Sequence, residues 1–388
     1  MRGIIIWGLA LALANPLCAQ ELSSAGSLKG YLVRSQEPSV LGVKPPVAQN
    51  ETLIARYRLS GALNKAWFFD GAYQLTSLHQ DPAPIEAIEI PGAYRWGEPE
   101  HQLYPNEGEK SSTQIFQNLD RFSLQYRAEG FDITLGRQAI TFGMGRSVSP
   151  NDLFANFTLS ELDLENRLGV DAVRLEVPLG ELSELDLGAL FGKNGAAAQG
   201  GGYLRVKVNL AGQDLVLLAA QYKRHQAFGG ELALALGKIG AWVEGTWTKP
   251  FEATSPEYGR YLAGADYTFG EDTYLWLEYH LNGAGAKEAS NYHQPQANQS
   301  YLDAGGYLWG REYLNLGGNF PLTPLNQLSL FYMSNRKDQS TYVNTTLESN
   351  LTTDLYLDLG ITHLTGNPDQ TEFGTYPAQL YLAIRGYL

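Results

Sequence analysis

The sequence predicts one antiparallel β-barrel of about 18 strands, 16 being the other count that fits, which crosses a membrane with its strands. Three observations carry this. Apolar and polar residues alternate with period two along almost the whole chain. After residue 20 no apolar run reaches the ~18 residues that a crossing helix needs, so any crossing falls to strands. The joins between alternating segments sort into short and long ones in strict succession.

Composition agrees. There are 23 Tyr, 15 Phe, 7 Trp and 42 Gly against 3 Met and 1 Cys, a balance that favours pleated sheet over helix. At 44% hydrophobic and 18% charged, the chain is too apolar for disorder and too polar for a helical membrane bundle. The net charge of -13 and the lack of any basic run exclude nucleic acid as a partner.

The first element is an export signal. Arg2 supplies the positive start, Ile4 to Ala14 the apolar stretch, and Asn15-Pro16 a break before Leu17-Cys18-Ala19, so residues 1–19 are expected to be removed and 20–388 to form the barrel. Asn15 and Leu17 argue against Cys18 as a lipid-bearing residue. Its removal leaves no cysteine, hence no disulfide, no thiolate metal site and no covalently attached haem.

Strands follow. Phe122, Leu124 and Tyr126 alternate with Arg121, Ser123, Gln125 and Arg127; Leu204, Val206, Val208 and Leu210 with Tyr203, Arg205, Lys207 and Asn209; Leu355, Leu357, Leu359 and Ile361 with Asp354, Tyr356, Asp358 and Gly360. Short turns are expected at residues 60–62, 129–130, 178–180, 211–213, 237–238, 270–272, 321–324 and 348–350. Longer joins are expected at 36–50, 79–113, 139–168, 192–200, 225–228, 249–257, 283–309, 336–340 and 365–375. The segments near Leu28 to Arg34 and Tyr342 to Leu347 are the weakest strands, and both chain ends fall on the short-turn side.

The last segment, QLYLAIRGYL, sets Leu380, Leu382, Ile384, Gly386 and Leu388 outward. With the signal and the sorted joins, it resembles the porin-type outer-membrane proteins of Gram-negative bacteria, whose members usually end in Phe where this chain has Leu388. A second, local resemblance covers FDITLGRQAITFGMGRSVSPNDLF, residues 131–154, which looks like the strand-plus-loop segment of poorly characterised porin-like families. The resemblance implies an outer-membrane barrel and a passive channel.

In general porins the third external loop folds inward, and the resemblance extends that expectation to residues 139–168, with Asp152, Glu161, Asp163 and Glu165 as constriction carboxylates. Asn151 or Asp152 would cap a short helix carrying Glu161, Asp163 and Glu165. Inside the pore, those acids would face Arg121, Arg127 and Arg205. An outer cover loop is the alternative.

Alternation places Arg121, Arg127, Arg174, Arg205 and Lys207 on one lumen wall and Glu244, Asp266, Glu278, Asp354 and Asp358 on the other, with Arg260 the exception among the acids. Such walls would impose a transverse field on passing solutes; pairing between neighbouring strands is the competing reading. Trp67, Trp242, Trp247 and Trp276 read as interfacial girdle residues, while Tyr203, Tyr274, Trp276 and Tyr356 fall inward, where sugar stacking is the alternative.

No catalytic motif or cofactor site is expected. The six histidines are scattered and no nucleophile elbow or phosphate loop occurs. The acids Glu98, Glu100, Glu107 and Glu109 read as a solvated loop rather than a calcium site. The function expected is a passive outer-membrane channel whose partners are membrane lipid and small hydrophilic solutes. A barrel sheath around a multihaem cytochrome is the alternative, and a homo-oligomer stays open.

Overall fold

The computed structural model describes residues 21–39, 45–83, 94–97, 102–105, 111–155, 157–159, 161, 163–252 and 255–388. The expected signal, residues 1–19, and the acids Glu98, Glu100, Glu107 and Glu109 lie outside them.

Among the described residues nineteen strands run in chain order: β1 (Glu21–Gln36), β2 (Val47–Ala62), β3 (Trp67–Asp81), β4 (Gln102–Tyr104), β5 (Thr113–Arg127), β6 (Asp132–Gln138), β7 (Val170–Pro178), β8 (Glu184–Leu190), β9 (Gly201–Leu210) and β10 (Gln213–Tyr222). They continue as β11 (His225–Leu236), β12 (Ile239–Pro250), β13 (Tyr258–Phe269), β14 (Thr273–Asn282), β15 (Glu312–Thr323), β16 (Asn326–Asn335), β17 (Thr341–Thr352), β18 (Leu355–Thr365) and β19 (Ala378–Tyr387). Strands adjacent round the ring pair antiparallel, and β1 pairs with β19, so the sheet closes. Because β3 bonds β5 directly and β4 only flanks β5, the closed ring holds eighteen of the nineteen strands. At the seam Lys29 stands opposite Arg385, and Gly26 and Leu388 exchange backbone hydrogen bonds of 3.0 and 2.8 Å.

Closure satisfies every ladder edge, which strands crossing hydrocarbon require. The outward side chains are apolar and exposed: Leu28 and Leu32 on β1, Leu204 on β9, Leu215 and Leu217 on β10, Val243 and Trp247 on β12, Leu359 and Ile361 on β18, Leu380, Leu382 and Ile384 on β19. The weak segments are full strands, β1 of 16 residues and β17 of 12.

Three joins differ from expectation, the first being the turn expected at residues 60–62, which falls at 63–66 because β2 pairs with β3 through Ala62. The short turn after β17 is Thr353-Asp354 rather than residues 348–350, because the ladder with β16 and β18 carries β17 to Thr352. Lys223-Arg224 forms a tight turn in place of a join at 225–228, since β11 pairs with β10 from His225 onward.

Alternation fails inside the barrel in an informative way. Strand β10 turns Val216, Leu218, Ala220 and Tyr222 inward, where water would meet them if the lumen were open there. They are buried instead, most of them in a cluster that joins wall residues Val170, Ala172, Leu190 and Tyr203 to Tyr94, Ile140, Phe142, Leu153 and Phe154 of the joins. A second cluster gathers Val148, Leu308 and Phe373 from three different joins against Tyr313, Met333 and Tyr342 of the wall. Burying this apolar surface is what draws the joins into the barrel.

Candidate functional site: the loop across the lumen

The join between β6 and β7, residues 139–169, runs over the inner faces of strands far round the ring. Glu244 on β12 accepts hydrogen bonds from the backbone N–H groups of Met144 (2.9 Å), Gly145 (3.1 Å) and Asn151 (2.7 Å) and from Ser149 Oγ (2.5 Å). Glu278 on β14 accepts from the N–H of Arg146 (2.6 Å) and Ser147 (2.9 Å), from Ser147 Oγ (2.5 Å), and from Trp242 Nε1 (2.9 Å). Asn315 on β15 donates to Ser147 Oγ at 2.7 Å. Neither Glu244 nor Glu278 is exposed. Each carboxylate thus serves as the acceptor for a stretch of loop backbone that has no ladder of its own.

Gly143 makes the approach feasible. Its φ of +89° is strained for other residues, and a Cβ there would stand 2.6 Å from Glu244 Oε1 and 1.7 Å from Ser149 Oγ.

Asn151 and Asp152 bury their side chains instead of capping a helix, and no described residue of 139–169 is helical. Asn151 donates to Glu231 at 3.1 Å and accepts from Thr246, while Asp152 holds Arg167 at 3.0 Å. Burial pushes the Asp152 carboxyl up to about 6, against the pull of Arg167.

The loop then swings to the closing seam. Asp163 lies 2.9 Å and Glu165 2.7 Å from Nζ of Lys29, which is only 1% exposed. Glu165 also accepts from Arg385 at 2.8 Å and Tyr387 OH at 2.5 Å. The partners expected for these acids were Arg121, Arg127 and Arg205; the structure corrects this, since Asp163 and Glu165 meet Lys29 and Arg385 across the seam. Arg121 donates to the carbonyl of Arg167 at 2.8 Å and pairs with Asp120 at 2.7 Å. A bulge in β5 against Ala72 and Tyr73 leaves Asp120 out of register, so it and Arg121 serve the same interior. Among the described residues Glu161 bonds only its own loop, at the N–H of Thr158, 3.1 Å away.

The basic wall is paired from strand to strand. Arg174 forks onto Asp186 (3.0 and 2.7 Å) and reaches Glu176 at 2.9 Å; Lys207 meets Asp214 at 2.9 Å; Arg205 and Arg127 lie 3.8 Å from Glu184 and Asp132. Glu176, Glu184 and Asp186 also come close enough together to suggest a cation site, but Arg174 already occupies two of them. On the acidic wall, Asp266 accepts from Tyr274 OH at 2.8 Å and Asp358 takes two bonds from Arg385, at 2.7 and 3.0 Å. Asp354 stands in the turn before β18, exposed, and not on the wall: β17 is longer than its alternation suggests.

Trp242 departs from the girdle reading, being buried inward on Glu278, whereas Trp247 is exposed outward. Tyr203 spends its hydroxyl on Asp186 at 3.0 Å and its ring on Phe142, which leaves it no free face for a sugar.

A second ring of contacts ties the later joins together. Glu372 accepts from the N–H of Trp309 (2.7 Å) and Gly310 (3.2 Å), from Tyr313 OH (2.6 Å) and from Asn335 Nδ2 (2.7 Å). Sequence reading missed Lys29, Arg385 and Glu372; the mixed run LVLLAA, residues 215–220, was the available sign that one wall is covered on both faces.

A closed barrel, apolar outside, with a polar interior crossed by a loop, is the architecture of an outer-membrane barrel of the porin type. Among solved structures the chain is similar to OccAB4 of Acinetobacter baumannii (TM-score 0.62, 8% identity, covering 96% of this chain and 100% of that one). It is similar also to Pseudomonas aeruginosa OpdL (0.61, 11%, 95% and 99%) and to a BenF-like porin from Pseudomonas fluorescens Pf-5 (0.60, 10%, 96% and 99%). The fold is therefore that of Gram-negative outer-membrane porins. No protein-family model and no curated protein matches the sequence.

Proposed function

We propose that the protein is a passive channel of the bacterial outer membrane for small hydrophilic solutes, with its bore limited by residues 139–169. The observation that carries this reading is the seating of residues 144–151 on Glu244 and Glu278, because a strand of backbone fixed across the interior narrows whatever path remains. Flow is downhill and calls for no chemistry; width and the charges at the loop, Lys29 and Arg385 set what passes. The strand-to-strand pairing of Arg174, Arg205 and Lys207 weakens any transverse field, so the loop carries more of the selectivity than the walls do.

The test is single-channel recording in planar bilayers. Wild-type protein gives small unitary currents, and shortening residues 150–164 enlarges them. An intact barrel with no current, or with the same current after shortening, overturns the reading. The sheath alternative needs a lumen free for another protein, which two apolar clusters and a crossing loop argue against. Haem absorbance in the detergent-extracted, affinity-purified complex would favour that alternative instead.

A further inference from the structure

Arg260, the main exception among the acids of β12 to β18 in the alternation pattern, is buried with only 2% exposure on the inner face of β13. Its Nε and Nη1 have no hydrogen-bond partner, and no ion pair reaches it among the described residues. Unlike a lysine or histidine, a guanidinium cannot shed its proton to escape burial. A buried cation left without a partner is strongly destabilising, so it calls for a counter-charge.

The surroundings narrow what that counter-charge is. Arg260 stands opposite Asn282 on β14, and His280 lies two residues further along the same face, opposite Leu262. Diagonal neighbours of this kind are within reach of a long side chain. His280 has no exposure, and neither ring nitrogen has a partner, although an imidazole always offers at least one N–H. Its ring stacks on Tyr313, whose hydroxyl is committed to Glu372. Asn282 spends its amide N–H groups on Tyr301 OH and on the carbonyls of Leu308 and Gly310, leaving Oδ1 free. The Tyr301 ring covers the guanidinium at 5.7 Å, and Asp152, the acid from the crossing loop whose field Arg260 shares, is held by Arg167.

We propose that Arg260 and His280 together bind one small monovalent anion, halide- or formate-sized, sealed beneath the join 283–311. The near-zero exposure of both side chains excludes a carboxylate attached to a larger solute, so the ligand is a free ion. Bound there, it neutralises Arg260 and fastens Tyr301 of one join to the wall that also carries Asn151 of the other, through Thr246 beside Arg260.

The experiment uses full-length protein in detergent at constant ionic strength, with sodium gluconate replaced stepwise by sodium bromide or sodium formate. The heat-unfolding midpoint rises and saturates in the wild type, because only the folded state offers the site. The rise is lost in Arg260→Gln and weakened in His280→Gln. Wild-type crystals grown in bromide show an anomalous peak between the two side chains. Equal midpoints in gluconate and bromide, an unchanged response in Arg260→Gln, or water alone at that place in the bromide crystals overturns the proposal. Should Arg260→Gln fail to fold, the wild-type titration and the anomalous map decide by themselves.

Discussion

The backbone N–H of Asn151 donates to Glu244 Oε1 over 2.7 Å, joining residues 93 apart in sequence, and so fixes the crossing loop to the wall of β12. Glu244→Ala removes the acceptor for three backbone N–H groups and one hydroxyl, each a charge-assisted bond of about 1.5–3 kcal/mol though not additive. The barrel should still close and keep its gel mobility, while residues 143–152 become open to proteolytic nicking and the unitary current becomes noisier. An unchanged nicking pattern and an equally quiet current would show that the loop is held by its apolar contacts alone.

Asp163 and Glu165 are the loop acids that meet lumen cations at the seam, whereas Glu161 bonds only within its own loop. Asp163→Asn combined with Glu165→Gln leaves Lys29 without a counter-charge and takes one of three carboxylates from Arg385, and the reversal potential in a salt gradient should move toward anions. Glu161→Gln should leave it nearly unmoved. Equal shifts in the two variants would mean that position in the sequence, not contact with Lys29, governs selectivity.

Val206→Arg and Asn209→Arg separate the two faces of β9. The first places a charge in hydrocarbon at a cost of about 2–4 kcal/mol near the midplane, and the second adds one to a wet interior. The folded fraction in lipid vesicles, read as the faster-migrating band of unboiled samples, should drop for Val206→Arg and hold for Asn209→Arg. Matching fractions would refute the assigned register.

Burial pushes the Glu372 carboxyl, in the join between β18 and β19, up to about 7. Because the folded state binds this proton more tightly than the unfolded chain, the stability it contributes is complete below about pH 4.5 and disappears as pH rises to about 7. The loss is on the order of 3 kcal/mol. Compared with Glu372→Gln, which does not titrate, the wild type should lose heat stability across that window and run parallel above it. Parallel curves from pH 4.5 upward would show that the four donors around Glu372 keep it ionised throughout.

The barrel was legible because its two faces meet different media, and each strand such as β9 or β18 records that in its own ten or so residues. The loop was legible as an inward candidate only through its acids and its place after β6. Its partners were not, because Lys29, Glu244 and Glu278 come from strands remote in sequence, and alternation says which face a residue takes but nothing of what covers it. Trp242 illustrates the limit: a tryptophan near a strand end reads as a girdle residue until the carboxylate of Glu278 is seen beneath its N–H. Asp354 shows another, since β17 runs on past its expected end at Leu347 to Thr352 where the neighbouring ladder continues.

The seam carries a lesson about assembly. Lys29 of the first strand and Arg385 of the last stand side by side with like charge, and Glu165 touches both. Zipping the sheet with the loop left outside would leave the buried Lys29 ammonium without a counter-charge beside Arg385, which keeps Asp358 and Glu348, at the very joint that must shut. Seating the loop and shutting the ring therefore favour one another, because the same two carboxylates that fix the loop neutralise the lysine of the closing strand.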